Sequence, residues 1–310
     1  MSAVKEQPCL AIITATYNEF SKIESWQQYY AAIAAEIDLH IIVDDGSTVE
    51  YLQLLKKTFP NSIILQNETN QGQIAAHNLG FKYALSNGAR FVGVLVPDFR
   101  LSPGCLNSLI KVLTDDPTMA GISAVTIKAG TEDEIESVGA RLDMRRATLV
   151  PHDEVGLRWK STWEGVKIVD TMHGGFHLLR RSLVETIGLC DEQLFMYCDE
   201  LDLGWRAKLA RLKFGVLLGQ RVWHEHVSFG GRTRPPLAVY LVSRNRMLIM
   251  NRYGRLHYRL ILILGRLVTL IPAMLGYLRR EGTVRHARAY AHGLWHGILG
   301  ITGRPPQDLL

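Results

Sequence analysis

The sequence lacks the cysteine patterns of disulfide-rich and zinc-binding proteins. Its 310 residues contain only four cysteines, Cys9, Cys105, Cys190 and Cys198, and no two of them form a CxxC pair. This spacing indicates neither a disulfide framework nor a thiolate zinc site, and it favours a reduced, intracellular setting. Glycine and proline number only 27 and 11, and 47% of the residues are hydrophobic, which excludes a disordered or fibrous protein.

Long hydrophobic runs are also missing. The N-terminal apolar run, Cys9 to Ile13, is too short for the core of a signal peptide, so we expect the chain to stay inside the cell. In the most apolar region, residues 256–279, the longest stretch without a charge is the 12 residues from Leu267 to Leu278. Because a spanning helix needs about 20 apolar residues, this region predicts an interfacial or re-entrant membrane helix. The alternative is a helical hairpin packed on the rest of the chain.

Lysine is absent from residues 241–310. That segment holds 11 arginines against two acids, Glu281 and Asp308, a net charge of +9, while the remainder of the chain carries −4. Such asymmetry predicts a polyanionic partner, either nucleic acid or an anionic membrane surface. The leucine and isoleucine runs beside the arginines favour the membrane surface, and no zinc-finger or recognition-helix pattern supports nucleic-acid binding.

Neither a GxGxxG motif nor a Walker loop follows the first predicted strand, which excludes the usual dinucleotide and P-loop sites. The first half instead alternates continuous apolar runs with helical patterns, which is typical of a doubly wound, mostly parallel α/β sheet. Residues 128–170 lose this rhythm and predict an irregular, partly β segment. The predicted strands are Leu10–Thr16, Leu39–Val43, Ser62–Leu65, Phe91–Val96 and Gly121–Ile127, and the predicted helices are Lys22–Ala35, Tyr51–Phe59, Gln73–Ser86 and Cys105–Thr114.

Acidic residues follow two of the predicted strands. Asp44 and Asp45 end the second strand, and Asp98 follows the fourth. Because parallel strands deliver their carboxyl ends to one edge of a sheet, these carboxylates are expected in one cleft. Mg²⁺ commonly uses only one or two protein carboxylates together with ligand oxygens, so Asp98 is a candidate ligand for a diphosphate-bound cation. Each motif alone is also ordinary turn or N-cap chemistry, and it is their joint occurrence that indicates a site.

A second acidic cluster lies in the second half of the chain. After Gly174-Gly175, the segment around residues 195–206 places Asp199, Glu200 and Asp202 in the first turn of a predicted helix. Asp202 and Arg206 are spaced i, i+4 and are expected to pair, which leaves Glu200 as the candidate general base. The alternative is that these acids only stabilise the helix dipole.

Two histidines, His224 and His226, form an HxH pattern, with His173 and His177 upstream. On a strand the first two share a face and could bind zinc, which is the basis for a zinc hydrolase as an alternative function. A single contact from His224 to a diphosphate-bound cation explains the pattern more economically.

Taken in order, these motifs resemble glycosyltransferase family 2, the inverting, nucleotide-sugar-dependent enzymes of the GT-A fold, and in particular the rhamnosyltransferase-like members of bacterial cell-surface glycan synthesis. The similarity covers most of the chain. The segments that carry it are Thr14–Glu19, Val43–Ser47, Asn70–Gly72 with Asn78 and Gly80, Val96–Asp98, Gly174–Arg181, Phe195–Arg206 and Val222–His224.

The resemblance implies roles for individual residues. Asp98 and His224 would contact a divalent cation, Mg²⁺ or Mn²⁺, although Val96 stands where the family's metal motif usually carries a second acid or an amide. Glu200 falls at the position of the catalytic base, with Asp199 as the alternative because the two acids are in swapped order. The implied nucleotide-sugar pocket comprises Thr16, Asn18, Glu19, Asp44, Asp45, Asn70, Gly72 and Asn78, and the implied acceptor side comprises Gly175, Tyr197, Asp202 and Arg206.

The expected enzyme has a GT-A catalytic domain over residues 1–235, with a nucleotide-sugar half (1–127) and an acceptor half (128–235), followed by a basic, apolar, helical region over 236–310 that associates with the membrane. It would move a hexosyl or deoxyhexosyl group from a UDP- or dTDP-sugar to a saccharide or lipid-linked acceptor in polysaccharide biosynthesis. It would be cytoplasmic and peripheral at the inner face of the cell membrane. A catalytically silent nucleotide-sugar-binding or scaffold protein of the same fold is the alternative.

Overall fold

The computed structural model describes residues 9–225, 235–281 and 284–307, except for the side chains of residues 277, 278, 280 and 281. The strands are β1 (Leu10–Thr16), β2 (Leu39–Asp44), β3 (Ile63–Gln66), β4 (Phe91–Leu95), β5 (Phe99–Leu101), β6 (Met119–Ile127), β7 (Ile135–Ser137), β8 (Ala140–Asp143), β9 (Thr148–Pro151), β10 (Val166–Val169), β11 (Phe176–Arg180) and β12 (Lys213–His224). The α-helices are α1 (Ile23–Ile33), α2 (Val49–Thr58), α3 (Gln73–Ser86), α4 (Cys105–Asp115), α5 (Arg181–Ile187), α6 (Asp199–Leu209), α7 (Pro236–Tyr253), α8 (Leu256–Glu281) and α9 (Val284–Leu299).

Ten of these strands form one sheet, whose main path runs β10-β12-β6-β11-β4-β1-β2-β3. The four strands at one end, β3, β2, β1 and β4, are mutually parallel, and β6 pairs in parallel with β12. β11 is antiparallel to both of its neighbours, and β10 is antiparallel to β12. The prediction of a doubly wound, mostly parallel α/β sheet is therefore confirmed, and the fold is GT-A.

Both faces of the sheet are covered by helices, which explains why its strands are apolar without interruption. Along β1, Leu10 and Ile12 pack into a cluster that includes α4, whereas Ala11 and Ile13 pack on the opposite face against α3. The backbone register pairs Thr16 with Asp44 at the carboxyl ends of β1 and β2. The polar residues that follow these strands are thus brought to one edge, as a parallel sheet requires.

The C-terminal helices differ in how they pack. α7 and α9 lie in close contact, since a Cβ atom added at Gly293 would lie 2.3 Å from the Tyr240 carbonyl oxygen, and one at Gly297 would lie 2.7 Å from that of Arg244. Side chains of α7 share a hydrophobic cluster with Leu201 and Trp205 of α6. α7 and α9, which flank the apolar region 256–279, therefore pack on the rest of the chain.

α8 has a different environment. It is a helix of 26 residues, and by length and composition residues 256–276 are long and apolar enough to cross a membrane. Part of it packs inward through Leu262, yet a continuous outward face is apolar and exposed. That face comprises Leu256, Leu260, Ile261, Leu264, Leu267, Val268, Ile271 and Leu275.

Candidate functional site

The loops after β1 and β2 are fastened to each other. Asn18, whose φ is +52°, accepts a hydrogen bond from the Thr48 amide through Oδ1 (3.0 Å), and its own amide donates to Ser47 Oγ (2.9 Å). Thr16 is buried at the end of β1, with Oγ1 in hydrogen-bonding contact with the Tyr51 hydroxyl. These hydrogen bonds hold the polar residues after β1 and β2 in place at the edge of the sheet.

Asp45 is buried, and its carboxylate organises the next loop. Its oxygens accept hydrogen bonds from Asn67 Nδ2 (2.8 Å), the Gln71 amide (2.9 Å) and the Gly72 amide (2.8 Å). The loop is tightened further because Asn70 Oδ1 also accepts from the Gly72 amide, at 3.1 Å. Asp45 and Asn70 thus shape the rim of the cleft from within.

The carboxylate of Asp44, the residue before Asp45, is hydrogen-bonded less well than that of Asp45. It has no exposed surface, and among the described residues neither carboxylate oxygen has a hydrogen-bond partner of ordinary geometry. Burial raises the pKa of Asp44, and hydrogen bonds from the side chain and the backbone of Ser47 offset part of that rise. Since Ser47 approaches this buried carboxylate only at less than ideal geometry, its oxygens are suited to receive further hydrogen bonds from a ligand.

Asn78 lies deeper than the sequence suggested. It is buried on α3, and its side-chain amide donates to the Cys190 carbonyl oxygen (2.7 Å) and to Glu192 Oε1 (2.9 Å). These bonds tie α3 to the segment that precedes α6. The structure therefore gives Asn78 a positioning role at this edge, and a contact with a nucleotide sugar stays a prediction.

Asp98 lies in the turn between β4 and β5. Its Oδ2 forms an ion pair with Lys22 Nζ at 3.1 Å, and Lys22 also contacts Glu19 Oε1 at 2.7 Å. Lys22 therefore bridges the carboxylates of Glu19 and Asp98. Both carboxylates and the lysine are largely shielded from solvent, which strengthens their interaction relative to a surface pair.

His224, at the end of β12, lies near the second carboxylate oxygen of Asp98, the one that does not pair with Lys22. His224 Nε2 lies 4.0 Å from Asp98 Oδ1, and His224 Nδ1 lies 3.2 Å from Glu136 Oε2. When Nδ1–H donates to Glu136, the lone pair of the neutral ring is on Nε2, which points towards Asp98. Two atoms that share one ion at roughly 2.1 Å lie at most about 4.2 Å apart, so Asp98 and His224 fit a single divalent cation. A carboxylate behind a ligating histidine is the usual supporting arrangement.

His173 completes this cluster. Ligand atoms of Glu136, His173 and His224 all lie within 4.8 Å of one another, and the ring of Phe99 stacks on that of His224 with centroids 4.6 Å apart. His173 Nδ1 accepts a hydrogen bond from the Gly175 amide at 3.0 Å. Burial and the nearby His224 lower the pKa of His173 to about 4.

The acidic pair at the start of α6 lies directly beyond His173. A Cβ atom added at Gly174 would lie 3.5 Å from Glu200 Oε2 and 4.0 Å from Asp199 Oδ2, so both carboxyl groups face this glycine. Burial, together with the Glu200 carboxylate, raises the pKa of Asp199 well above its usual range. A neutral Asp199 donates a hydrogen bond to Glu200, which leaves the negative charge of the pair on Glu200.

Asp202 and Arg206 form the predicted i, i+4 ion pair, with Arg206 Nη2 at 2.8 Å from Asp202 Oδ2. Asp202 has no exposed surface, and its other oxygen accepts a hydrogen bond from the Tyr253 hydroxyl at 2.8 Å. This burial corrects the expectation that Asp202 lines an acceptor side. The pair instead anchors α6 to the end of α7, with Arg206 also donating to the Ile187 carbonyl oxygen at 2.6 Å.

The backbone immediately before the acidic pair is strained. Phe195, Tyr197 and Cys198 have φ values of +67°, +66° and +64°, a region that side chains other than glycine rarely adopt. The carbonyl oxygen of Phe195 lies so close to Gly72 that a Cβ atom there would be 2.4 Å away. Such strain persists only where the surroundings impose it.

Asn245 of α7 supplies that restraint. It is fully buried, and its Nδ2 lies within hydrogen-bonding distance of three carbonyl oxygens, those of Leu194 (3.0 Å), Met196 (2.9 Å) and Tyr197 (3.0 Å). The neighbouring Arg244, also fully buried, donates to the Leu194 carbonyl oxygen at 2.9 Å. The C-terminal region therefore fixes the backbone that carries the acidic pair.

The sequence analysis missed Lys22, Glu136, His173 and Asn245 as site residues. Glu136 and His173 lie in or beside the irregular segment, where periodicity gave no positions, and Asn245 lies in a region assigned to membrane contact. Of the proposed zinc pair, His226 lies outside the described residues. Of the residues that the sequence singled out, Asp98 lies beside His224, and Asp199 and Glu200 face Gly174, next to Gly175. Their roles stay predictions.

Comparison with known proteins adds an independent line of evidence. Residues 11–188 match the model of the family described as Glycosyl transferase family 2. The chain is 23% identical over 304 residues to the low-salt glycan biosynthesis hexosyltransferase Agl10 of Haloferax volcanii, an alignment that covers 96% of the chain and 94% of that protein. It is 25% identical over 218 residues to poly-beta-1,6-N-acetyl-D-glucosamine synthase of Staphylococcus aureus, covering 69% of the chain but only half of that longer relative.

Among solved structures, that of GalNAc-T7 with UDP, GalNAc and Mn²⁺ has a TM-score of 0.60 at 16% sequence identity, covering 80% of this chain and 48% of that one. At this identity the likeness concerns the fold alone.

Proposed function

The chain belongs to glycosyltransferase family 2, and from this premise we propose that it is an inverting enzyme, which transfers one sugar from a nucleotide diphosphate sugar to an acceptor hydroxyl. One observation carries the proposal. The carboxylates of Glu200 and Asp199 face Gly174, and the adjoining His173 belongs to the cluster that contains the cation candidate His224. A base and a site for a leaving diphosphate thus lie side by side.

The reaction requires a single displacement. The acceptor oxygen forms a bond to the anomeric carbon while the bond from that carbon to the diphosphate oxygen breaks, and the electron pair leaves with the diphosphate. Glu200 takes the proton of the acceptor hydroxyl. Asp199, whose pKa is raised by burial and by Glu200, would hold the Glu200 carboxylate by a hydrogen bond when it is protonated.

A divalent cation, Mg²⁺ or Mn²⁺, would be held by Asp98 and His224, and Glu136 would keep the His224 lone pair on Nε2. When bound, such an ion neutralises the charge that develops on the leaving diphosphate. Lys22 contributes a second, protein-borne positive charge beside Asp98. The fold neighbour GalNAc-T7 was crystallised with UDP and Mn²⁺, which supports a divalent cation as the cofactor.

The nucleotide would bind at the edge formed by Thr16, Asn18 and Asp44, where the buried Asp44 carboxylate would accept hydrogen bonds from it in addition to those of Ser47. Glu19, Asp45, Asn70, Gly72 and Asn78 would complete or support this pocket. Gly175 and Tyr197 lie on the side of the acidic pair and would border the acceptor. We propose a UDP- or dTDP-sugar as donor, with a hexosyl or deoxyhexosyl group transferred.

The acceptor is proposed to be a saccharide or a lipid-linked glycan in cell-surface polysaccharide synthesis. The names of the relatives support this class, since one is a hexosyltransferase of glycan biosynthesis and the other a poly-N-acetylglucosamine synthase. The test is a thermal-shift screen of nucleotide sugars with Mg²⁺ or Mn²⁺, followed by donor hydrolysis. A ligand at 100 times its Kd stabilises by about 2.7 kcal/mol, which a shift in Tm reveals.

A catalytically silent nucleotide-sugar-binding protein is the second candidate. It is favoured by Val96, which leaves Asp98 without a second acid, and by the ion pair of Asp98 with Lys22. Slow release of free sugar from the donor without an acceptor supports the enzyme. Donor binding without any sugar release supports the silent protein.

Removal of the Asn245 side chain tests how α7 serves the reaction. Asn245→Ala leaves the Met196 and Tyr197 carbonyl oxygens without their side-chain donor, while the Leu194 carbonyl oxygen keeps the bond from Arg244. The strained segment before α6 is then less restrained, and we expect Glu200 to shift. We expect kcat for donor hydrolysis to fall roughly 10- to 100-fold, because a displacement of about 1 Å has effects of this size. Asn251→Ala is the matched control, since that α7 amide donates to the Gly297 carbonyl oxygen at 3.0 Å and not to the segment. Equal kcat values for the two variants, measured well below both Tm values, would contradict the positioning role.

The exposed apolar face of α8 supports a cytoplasmic protein that is peripheral at the inner face of the cell membrane. On this proposal the Leu and Ile side chains of that face enter the lipid surface, and the arginines of residues 241–310 contact anionic headgroups. We propose that α8 lies along the membrane rather than across it, because Arg259 and Arg266 interrupt its apolar run.

Charge reversal in the last turn of α8 tests this orientation. Arg279→Glu combined with Arg280→Glu is expected to weaken binding to anionic vesicles about 10- to 100-fold, since each arginine near the surface contributes about 1 kcal/mol. The matched control is Lys56→Glu with Lys57→Glu, which reverses two exposed lysines on α2. Co-sedimentation with vesicles at increasing salt gives the readout, and wild-type binding is expected to weaken with salt without vanishing. Indifference to salt and to the arginine reversal, or tight, salt-sensitive DNA binding instead, would reject the membrane surface.

A further inference from the structure

His173 lies between the two halves of the proposed reaction centre. Its ring is 5.6 Å from that of His224, measured between centroids, and the next residue, Gly174, faces the Glu200 carboxylate. Its backbone is held in place because the His173 carbonyl oxygen accepts a hydrogen bond from His177 Nδ1 at 3.1 Å. Any group at its Nε2 therefore has a defined position in the cleft.

The proton of the His173 ring is located by one contact. The Gly175 amide can donate to Nδ1 only if Nδ1 carries a lone pair, so the neutral ring carries its hydrogen on Nε2. His224 has the opposite arrangement, because Glu136 accepts from its Nδ1–H and the lone pair is on Nε2. The two neighbouring rings thus present different atoms, a lone pair from His224 and an N–H donor from His173.

This difference argues against His173 as a cation ligand, although it lies within the same cluster. A ligating nitrogen needs a free lone pair, and moving the hydrogen to Nδ1 would break the bond from the Gly175 amide. An N–H donor requires an acceptor, and among the described residues Nε2 has no hydrogen-bond partner. Asp98 and Glu136 are already engaged by Lys22 and His224.

We propose that His173 Nε2–H donates a hydrogen bond to an oxygen of the departing nucleoside diphosphate. The oxygen belongs to its terminal phosphate, which carried the sugar before transfer. The proposal rests on the proposed function, and it assigns the catalytic contact to a residue that neither touches the cation nor moves a proton. The hydrogen stays on Nε2 throughout, and the bond strengthens as negative charge develops on the leaving oxygen.

The experiment compares UDP with UMP, which lacks the terminal phosphate, by calorimetry in the presence of Mn²⁺. His173→Ala is expected to weaken UDP binding about 10- to 100-fold, the worth of a hydrogen bond to a charged group, and to leave UMP binding unchanged. His173→Gln retains an N–H donor close to the position of Nε2 and is expected to restore most of the affinity for UDP. Mn²⁺ binding without nucleotide, followed by electron paramagnetic resonance, is expected to be unchanged in His173→Ala and lost in His224→Ala.

Three results of these measurements would overturn the inference. If His173→Ala loses Mn²⁺ binding as His224→Ala does, His173 is a cation ligand and the inference is overturned. It is also overturned if UDP and UMP affinities fall equally, or if UDP affinity is unchanged. If the wild-type protein binds no nucleoside diphosphate, the proposed function itself is overturned. This result differs from a failure of the inference, in which the wild-type protein binds UDP and only the His173→Ala variant behaves unexpectedly.

Discussion

Glu200→Gln is expected to lower turnover by roughly 10² to 10⁴ while donor affinity stays near that of the wild-type protein, because a positioned general base contributes about this much. The substitution preserves the size and the hydrogen-bonding reach of the side chain, and it removes only the ability to accept the acceptor proton. Turnover and donor affinity are measured separately, by donor hydrolysis and by calorimetry.

Asp199→Asn separates the two acids. Asn keeps a donor towards Glu200, as the neutral carboxyl group does, so this variant should lose far less turnover than Glu200→Gln. Glu50→Gln, at an exposed position in the first turn of α2, controls for a general effect of removing one acid. If Asp199→Asn loses turnover and Glu200→Gln does not, the base is Asp199.

Much of the fold was predictable because its information is local. β1 and α3 have the bounds that the sequence predicted, since a buried parallel strand is a continuous apolar run and α3 begins immediately after Gly72. Helix α1 differs at both ends, where 3-10 turns at Phe20–Lys22 and Ala34–Glu36 replace α-helix. Such end effects depend on hydrogen bonds of single residues and not on periodicity.

The site was predictable only where chemistry follows a strand or opens a helix. Asp44, Asp98 and Glu200 occupy such positions, so the rule on carboxyl ends of strands and the helix pattern located them. Glu136 reaches His224 only because β6 pairs with both β7 and β12, which joins residues 88 positions apart. No spacing in the sequence encodes that contact.

Asp202 shows that sequence spacing also fails to predict how deeply a residue is buried. Its i, i+4 spacing predicted the pair with Arg206, which the structure contains, yet spacing carries no information about depth. The Tyr253 hydroxyl of α7 closes over this pair, and a helix that arrives from the end of the chain decides that Asp202 is interior. Asn245 escaped prediction for the same reason, since its partners lie about 50 positions earlier.

Asp98→Ala is expected to weaken binding of the intact nucleotide sugar and to lower turnover by about 10² to 10³, the usual effect of removing one group that stabilises developing charge. Donor binding should weaken without vanishing, because Lys22 remains beside the cleft after its ion-pair partner is removed. Asp115→Ala, at an exposed site whose carboxylate pairs only with Lys111 among the described residues, is the matched control.

The cation's part in this effect is separated from that of Lys22 by a chelator. If Asp98 acts by holding a cation with His224, excess chelator should lower the wild-type rate to near that of Asp98→Ala and should change the variant little. If Asp98 acts only by placing Lys22, the variant should lose turnover while the wild-type protein resists the chelator. Full activity of Asp98→Ala, or of the wild-type protein in excess chelator, would contradict a cation held at this site, and Lys22 would then be the principal counter-charge of the diphosphate.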